Sequence, residues 1–412
     1  MLTISLEEAG RLAAERAGAN DGQPRVVASG NHAAPNALIK AVVDALPSCR
    51  LHMLNAQKDV PLHDGVVPES CFIGPGFRRH PQLSYVPARL SRVPRLFGHS
   101  LPPDIVVLHT TPPREGKVSL GVEVNIMPGA LEACRKRGGL VLAQVNPQMP
   151  YTFGDAEIEV GMIDAAVEVD APLHAHQPGE IDETSATIGA TVAEHIGDGA
   201  TLQAGIGAVP DAVIAGLTTR SGLRVWTEMF SDGVLALERR GVLDRSVPIT
   251  TSFVFGSQDL YGWLHLNERV RMARTETTNA VAEIAKQPAM TSVNTALQVD
   301  LFDQANASRI NARIYSGFGG QTDFTVGALQ SAGGKSFMAL RSWHPKADVS
   351  TIVPLVSEPV TSFQHSSVVT EQGIAKIRGC DERTQARHII EQCAHPDVRE
   401  ELWEEAAELG LA

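Results

Sequence analysis

A glutamate stands where few are found, inside Trp226-Thr227-Glu228-Met229-Phe230, near the end of an apolar run, Leu223–Met229, that reads as a strand. A carboxylate in such surroundings is costly unless it is hydrogen-bonded or functional. The carboxyl end of a strand is where α/β sheets place their chemistry, and a glutamate there can act as general base, metal ligand or nucleophile. The other reading is a side chain facing solvent at the strand terminus, or capping the helix that begins near Ser231.

Three glycine-rich stretches could face this group. Ala204–Val213 (AGIGAVPDAV) follows a strand and opens a helix, so its amides can point at an anion or a developing oxyanion. Gly205 and Gly207 fit the start of a dinucleotide fingerprint, but Pro210 takes the third glycine position. In Ser316–Ala328, Gly317, Gly319 and Gly320 allow close approach of backbone to a ligand. Ser331–Ser336 (SAGGKS) ends like a phosphate-binding loop, but Leu329 occupies the first glycine position, which excludes that motif. Lys335 remains a candidate partner for a phosphate or carboxylate, or a solvated surface charge. For each loop the plain alternative is a tight turn.

Other chemistries find little support. His174 and His176 lie in a presumed linker and read as solvated, and no HExxH or Cys/His cluster suggests a metal, so no metal site is expected. No GxSxG elbow occurs; the nearest Ser-Gly pairs are Ser29–Gly30 and Ser316–Gly317. The five cysteines, at 49, 71, 134, 380 and 393, are scattered and read as buried reduced thiols rather than a disulfide framework.

The elements that must hold these residues follow α/β grammar. Non-alternating apolar runs at Arg25–Ser29, Arg50–Leu54, Asp104–His109 and Gly139–Val145 read as strands buried on both faces, with helical patterns at Asn36–Leu46 and Leu131–Lys136 between them. After the Pro- and His-bearing stretch Ala171–Asp182 the pattern restarts: helix Glu183–Ile196, strand Thr201–Gly205, helix Pro210–Leu217, strand Leu223–Met229, helix Ser231–Gly241 and strand Thr251–Ser257. Two amphipathic helices close the chain. We therefore expect two α/β domains, residues 1–180 and 181–412.

At 412 residues the chain can bury a sizeable core, and its net charge of −12 argues against nucleic-acid or anionic-membrane partners. No apolar run approaches the roughly 18 residues of a spanning helix. The amino terminus carries Glu7 and Glu8 and reads as a surface helix capped near Thr3 or Ser5 rather than a signal peptide, so a cytoplasmic protein is expected.

The motifs together resemble the acetyl-CoA hydrolase/transferase family, which contains 4-hydroxybutyrate, butyryl and succinyl CoA-transferases. The likeness runs through FIGPGFRR (72–79), SRVPRLF (91–97), EGKVSLGVEV (115–124) and AQVNPQMPYTFGD (143–155). It continues through GIGAVPDAV, TEMFSDGV, SVNTALQVDL (292–301), SGFGGQTDF, GGKS and VVTEQGIAKIRG (368–379). The resemblance implies two open α/β domains of the CoA-transferase (NagB/RpiA-like) type with the active site between them. It implies that Glu228 is the nucleophile, and that Gly205, Ile206, Gly207, Ala208 and Val209 contact coenzyme A. Oxyanion amides are implied at Ala208 and Gly320, Ser316 and Lys335 near bound coenzyme A, and Asn294 and Glu371 as polar site residues.

What the resemblance implies for activity is transfer of coenzyme A from an acyl-CoA to a carboxylate, in ping-pong fashion through a glutamyl-CoA thioester on Glu228. Coenzyme A and acyl-CoA would be substrates, with no permanently bound cofactor, in a homodimer or higher homo-oligomer. An acyl-CoA hydrolase using the same glutamate with water, and a non-catalytic module binding CoA thioesters, are the alternatives. Arg78 and Arg79 are candidates for pairing with a carboxylate or the coenzyme A phosphates, or are solvated surface charges. The sequence departs from the family pattern at Phe302-Asp303-Gln304, where a glycine-containing turn is common, and at Arg274–Val281, which keeps only Asn279 of an Asn-Asp or Asn-Pro version. Thr110 stands where serine is frequent.

Overall fold

The apolar runs of the first half become strands whose side chains are almost all buried: Arg25–Ala28, Cys49–His52, Ile105–Thr110 and Leu140–Val145. The computed structural model describes the chain apart from residues 19–21, 177, 178, 361 and 363. Two of these fall in the expected linker Ala171–Asp182, so that part of it lies outside the described residues. The chain divides into two units. The first comprises Met1–Gln177, Pro248–Thr278 and Ile314–Gly319; the second comprises Pro178–Val247, Asn279–Arg313 and Gly320–Ala412. The expectation of one boundary near residue 180 does not include the two later segments that belong to the first unit.

In the first unit eight strands form one sheet in the order Leu2–Thr3, Ala165–Glu168, Leu140–Val145, Ile105–Thr110, Arg25–Ala28, Cys49–His52, Val66–Ser70, Ser84–Tyr85, every neighbouring pair parallel. Helices Leu6–Gly18 and Asn36–Asp44 lay their apolar stripes on it, burying Ala9, Ala13, Leu38, Ile39, Val42 and Val43 against Val26, Leu51 and Val107. The first helix starts where Ser5 Oγ accepts from the Glu8 amide at 3.1 Å. The strand Leu2–Thr3 ahead of it was not expected, because two residues are too few to carry a periodic signal.

In the second unit the sheet runs Arg224–Val225, Thr201–Ala204, Thr291–Asn294, Lys335–Ala339, Ser367–Thr370, Gly373–Lys376; the first five are parallel and the last is antiparallel. The chain adds strands first on one side of Thr201–Ala204 and afterwards on the other. The order therefore reverses between Thr201–Ala204 and Thr291–Asn294, the kind of switch point at whose carboxyl edge such sheets bind ligands. Helices Glu382–Gln392 and Arg399–Glu408 bury Ile389, Ile390, Leu402 and Ala406 with Met338 and Val368.

Candidate active site

Five neighbouring strands of the second unit deliver their following residues to one edge. Glu228 comes after Arg224–Val225, the Gly205–Val209 turn after Thr201–Ala204, and Asn294 ends Thr291–Asn294. Leu340–His344 and Glu371 follow the next two strands. The parallel register forces this gathering of positions that lie 166 residues apart at most in sequence, from Gly205 to Glu371.

Glu228 sits on a bend, not within a continuous strand. The Trp226 amide still bonds the Leu202 carbonyl at 3.1 Å, but the ladder stops there, and a separate strand, Met229–Phe230, begins after Glu228. The buried Thr227 hydroxyl donates to the Met229 carbonyl at 2.7 Å, closing a tight turn around the glutamate. The carboxyl meets the start of helix Gln321–Gln330. A Cβ added to Gly320, the helix's N-cap, would overlap Glu228 Oε2 and lie 2.6 Å from Asn279 Nδ2. Gly320 has ordinary right-handed backbone angles, so the requirement for glycine here is space, not conformation. The Asn279 amide donates to Glu228 Oε2 at 2.6 Å. Burial raises the Glu228 pKa, the Asn279 hydrogen bond lowers it, and the Asp323 carboxylate raises it; the result is about 7. Both protonation states of the carboxyl are therefore accessible near neutral pH.

Beside it, the Gly205–Ala208 turn enters helix Ala208–Gly216 through Gly207, whose φ of 117° is open to glycine but strained for other residues. Ile206, Gly207 and Ala208 are exposed, and they stand at the amino terminus of that helix. A cavity of about 220 Å³ adjoins this turn, with Thr295, Arg341, Trp343 and His344 in its wall. Glu371 holds part of that wall: its carboxylate accepts from both the amide (2.9 Å) and the hydroxyl of Ser342. Asn294 Nδ2 donates to Ser292 Oγ at 2.8 Å and to Gln203 Oε1 at 3.4 Å, linking adjacent strands at the same edge.

Comparison with known proteins gives the family of the chain. The acetyl-CoA hydrolase/transferase N-terminal domain model matches residues 25–174, and the C-terminal domain model matches residues 256–406. A 4-hydroxybutyrate coenzyme A transferase of Clostridium kluyveri is 38% identical over 333 residues, covering 78% of this chain and 76% of the relative. The chain belongs to the acetyl-CoA hydrolase/transferase family. A succinyl-CoA:acetate/propanoyl-CoA:succinate CoA transferase of Fasciola hepatica is 35% identical, over 90% of this chain and 82% of the relative. The crystal structure of a 4-hydroxybutyrate CoA-transferase from Porphyromonas gingivalis superposes with a TM-score of 0.83 at 30% identity, covering 99% of this chain and 98% of the other. The CoA-transferase fold and membership of this enzyme family, expected from the motifs, are thereby established.

Not every residue named from the family resemblance gathers at the edge. Lys335 opens the strand Lys335–Ala339, opposite Thr291, and so lies at the amino ends of the parallel strands. The four-residue span to the carboxyl edge is roughly 13 Å of strand. Its ammonium donates to the His195 carbonyl at 2.6 Å, just past helix Glu183–Glu194, where a cation complements the helix dipole. The structure therefore places Lys335 at the opposite end of its strand from the edge that carries Glu228. Ser316 belongs to the first unit, where its carbonyl accepts from the Ile73 amide at 2.8 Å. Arg78 also stays within that unit, with its guanidinium 3.6 Å above the Tyr315 ring; Arg79 is exposed.

The histidines of the linker are exposed but engaged: His174 Nε2 lies 3.0 Å from Asp59 Oδ2, and His176 stacks on Phe255 at 5.1 Å. Among the described residues no group of three or more His, Cys, Asp or Glu side chains could hold a metal ion. Two residues facing Glu228, Asn279 and Asp323, were not picked out as site residues. Asp323 stood within SGFGGQTDF, and Asn279 was the one position retained in a segment that otherwise departs from the family. The other departure is also accommodated: Asp303 takes the left-handed conformation (φ 59°) that a glycine turn would supply, and its carboxylate accepts from the His365 amide at 2.7 Å.

Proposed function

We propose that this enzyme transfers coenzyme A from an acyl-CoA to a carboxylate in two half-reactions, with Glu228 as the covalent nucleophile. The observation that carries the reading is the Glu228 carboxyl itself, raised to about 7 and seated against Gly320 at the start of a helix. In the first half-reaction a Glu228 oxygen attacks the thioester carbonyl of the donor. The C–S bond breaks, giving a mixed anhydride and coenzyme A thiolate. The thiolate then attacks the glutamyl carbonyl and expels the donor's carboxylate, leaving a glutamyl-CoA thioester. An incoming carboxylate attacks that thioester and releases thiolate, forming a second anhydride. Attack of the thiolate on its acyl carbonyl yields the new acyl-CoA and restores the Glu228 carboxylate.

Each addition puts negative charge on a carbonyl oxygen. The Ala208 and Gly320 amides, both at helix starts, are the donors assigned to that charge; losing one such donor typically costs about 3 kcal/mol of barrier. The Gly205–Val209 turn, exposed at Ile206, Gly207 and Ala208, would approach the coenzyme A chain, Asn294 would orient groups at the same edge, and Glu371 would hold the Ser342 loop. Water is the competing acceptor. The family's acetyl-CoA hydrolases, including one from Saccharomyces cerevisiae that is 34% identical over 48% of this chain, keep hydrolysis as the second reading.

The test is direct. An acyl-CoA incubated with enzyme and then borohydride should mark Glu228 in a peptide digest, and Glu228→Ala should lose at least about 10³-fold in turnover. Full activity in that variant would end the proposal. Thioester cleavage indifferent to added acetate or succinate would select hydrolysis over transfer.

A further inference from the structure

The motif SRVPRLF (91–97) takes no part in the chemistry assigned to Glu228, yet it forms one side of a cavity within the first unit. The short helix Val93–Phe97 packs against helix Met127–Lys136, and a Cβ added to Gly129 would lie 2.6 Å from Pro94 Cβ. Beside this contact opens a cavity of about 640 Å³. Arg92 and Arg95, three residues apart and so on one helical face, line it together with His99 and with Lys136, the last residue of the longer helix.

On a chain with a net charge of −12, clustered cations ordinarily find carboxylates. Here they do not. Among the described residues Arg92, Arg95 and Lys136 form no ion pair, and all three are exposed. The two carboxylates in the wall, Glu132 and Glu276, are both taken by Arg274. Its Nη1 donates to Glu132 Oε1 at 2.7 Å, and its Nη2 lies 3.0 Å from Glu276 Oε1. The wall therefore carries an excess of positive charge that the protein leaves uncompensated. Pro94, Leu96 and Ala133 add an apolar portion to the same cavity.

We propose that this cavity is a binding site for an organic phosphate of nucleotide size, with its phosphates on Arg92, Arg95 and Lys136 and its apolar part against Pro94, Leu96 and Ala133. Guanidinium groups match phosphate oxygens in pairs, and an ammonium adds a point charge beside them. A small monocarboxylate would satisfy one such cation and leave the others unmatched. The volume falls in the roughly 300–1,000 Å³ range of small-molecule sites, more than inorganic phosphate fills. Because the cations are exposed, binding is screened by salt. The proposal does not depend on Glu228 as nucleophile. Two sources share this chemistry: a free nucleotide, and the phosphorylated end of coenzyme A itself.

The experiment titrates ADP into the full chain by calorimetry at low salt, with and without saturating coenzyme A. It is repeated with the double variant Arg92→Ala/Arg95→Ala and with Lys136→Glu, whose unfolding midpoints should match the wild type because none of the three side chains has a partner to lose. ADP is expected to bind the wild type, and each variant to weaken that binding about tenfold or more. ADP binding that persists under saturating coenzyme A assigns the cavity to a free nucleotide. Displacement by coenzyme A, with a rise of about tenfold in the KM for acyl-CoA in the variants, assigns it to the phosphates of coenzyme A. No ADP binding at millimolar concentration, or an affinity unchanged in both variants, overturns the site. Borohydride trapping on Glu228 tests the nucleophile separately and is unaffected by either result.

Discussion

Two buried glutamates, one in each unit, have opposite fates. Glu69 in the first unit is 1% exposed, with Arg25 Nε at 2.8 Å, His52 Nδ1 at 3.0 Å and Arg50 Nη1 at 3.4 Å. Burial pushes its pKa up, but the His52 and Arg25 hydrogen bonds and charges outweigh it and bring the pKa to about 2. Glu228 is also raised by burial; the neutral Asn279 amide lowers it, the like charge of Asp323 raises it, and it stays near 7. Burial is common to both. What differs is the charge of the partners: two arginines and a histidine lie against Glu69, whereas Glu228, the proposed nucleophile, keeps a raised pKa.

The contrast can be broken by experiment. Glu69→Gln leaves the half-buried Arg25 without its buried anion and should cost about 3 kcal/mol in stability by denaturant titration, while activity per folded molecule persists. The pH dependence has opposite signs at the two sites. The folded pKa of Glu69 lies below its ordinary value near 4.5, so its stabilisation is present above that value and is lost as pH falls toward about 2. The folded pKa of Glu228 lies above its ordinary value. Its ionisation therefore costs stability as pH rises from about 4.5 to about 7, and Glu228→Gln should become the more stable protein across that window, by at most about 3 kcal/mol. Equal pH dependence for the two variants would erase the distinction.

Gly320→Ala sharpens the contrast from the catalytic side. Its methyl group must displace the Glu228 carboxyl, so kcat should fall about 10²-fold or more while the unfolding midpoint moves little; a fall of less than about threefold would remove Gly320 from the site. The smallest effect is expected at Lys335. Lys335→Met should cost about 1 kcal/mol of stability through the lost bond to the His195 carbonyl and leave the KM for acyl-CoA within about twofold. A tenfold rise in that KM would support the expectation that Lys335 lies near bound coenzyme A.

Much of this was readable before any coordinates. Apolar runs without alternation require strands covered on both faces, which dictates parallel sheets and helical crossovers. A carboxylate in an apolar run drew attention to Glu228, and the family motifs, not the run alone, gave it a role. Other features were not readable. The strand carrying Glu228 was read as continuous to Met229, whereas the regular strand covers Arg224–Val225 and a turn closed by Thr227 follows. Local hydrophobicity cannot show where a hydroxyl will interrupt a ladder.

The linear pattern alone determined the α/β class, the central strands of the first sheet and an acidic group worth suspecting, because periodicity and the cost of burying charge are local properties; it did not show strands such as Thr291–Asn294, Lys335–Ala339 and Ser367–Thr370. Strand order decided the rest. It placed Glu371 and the Gly205 turn at the same edge as Glu228 and left Lys335 at the other end of its strand. It also set Asn279 and Asp323 against the carboxyl, because partners distant in sequence acquire their charge relationships only when the chain is packed.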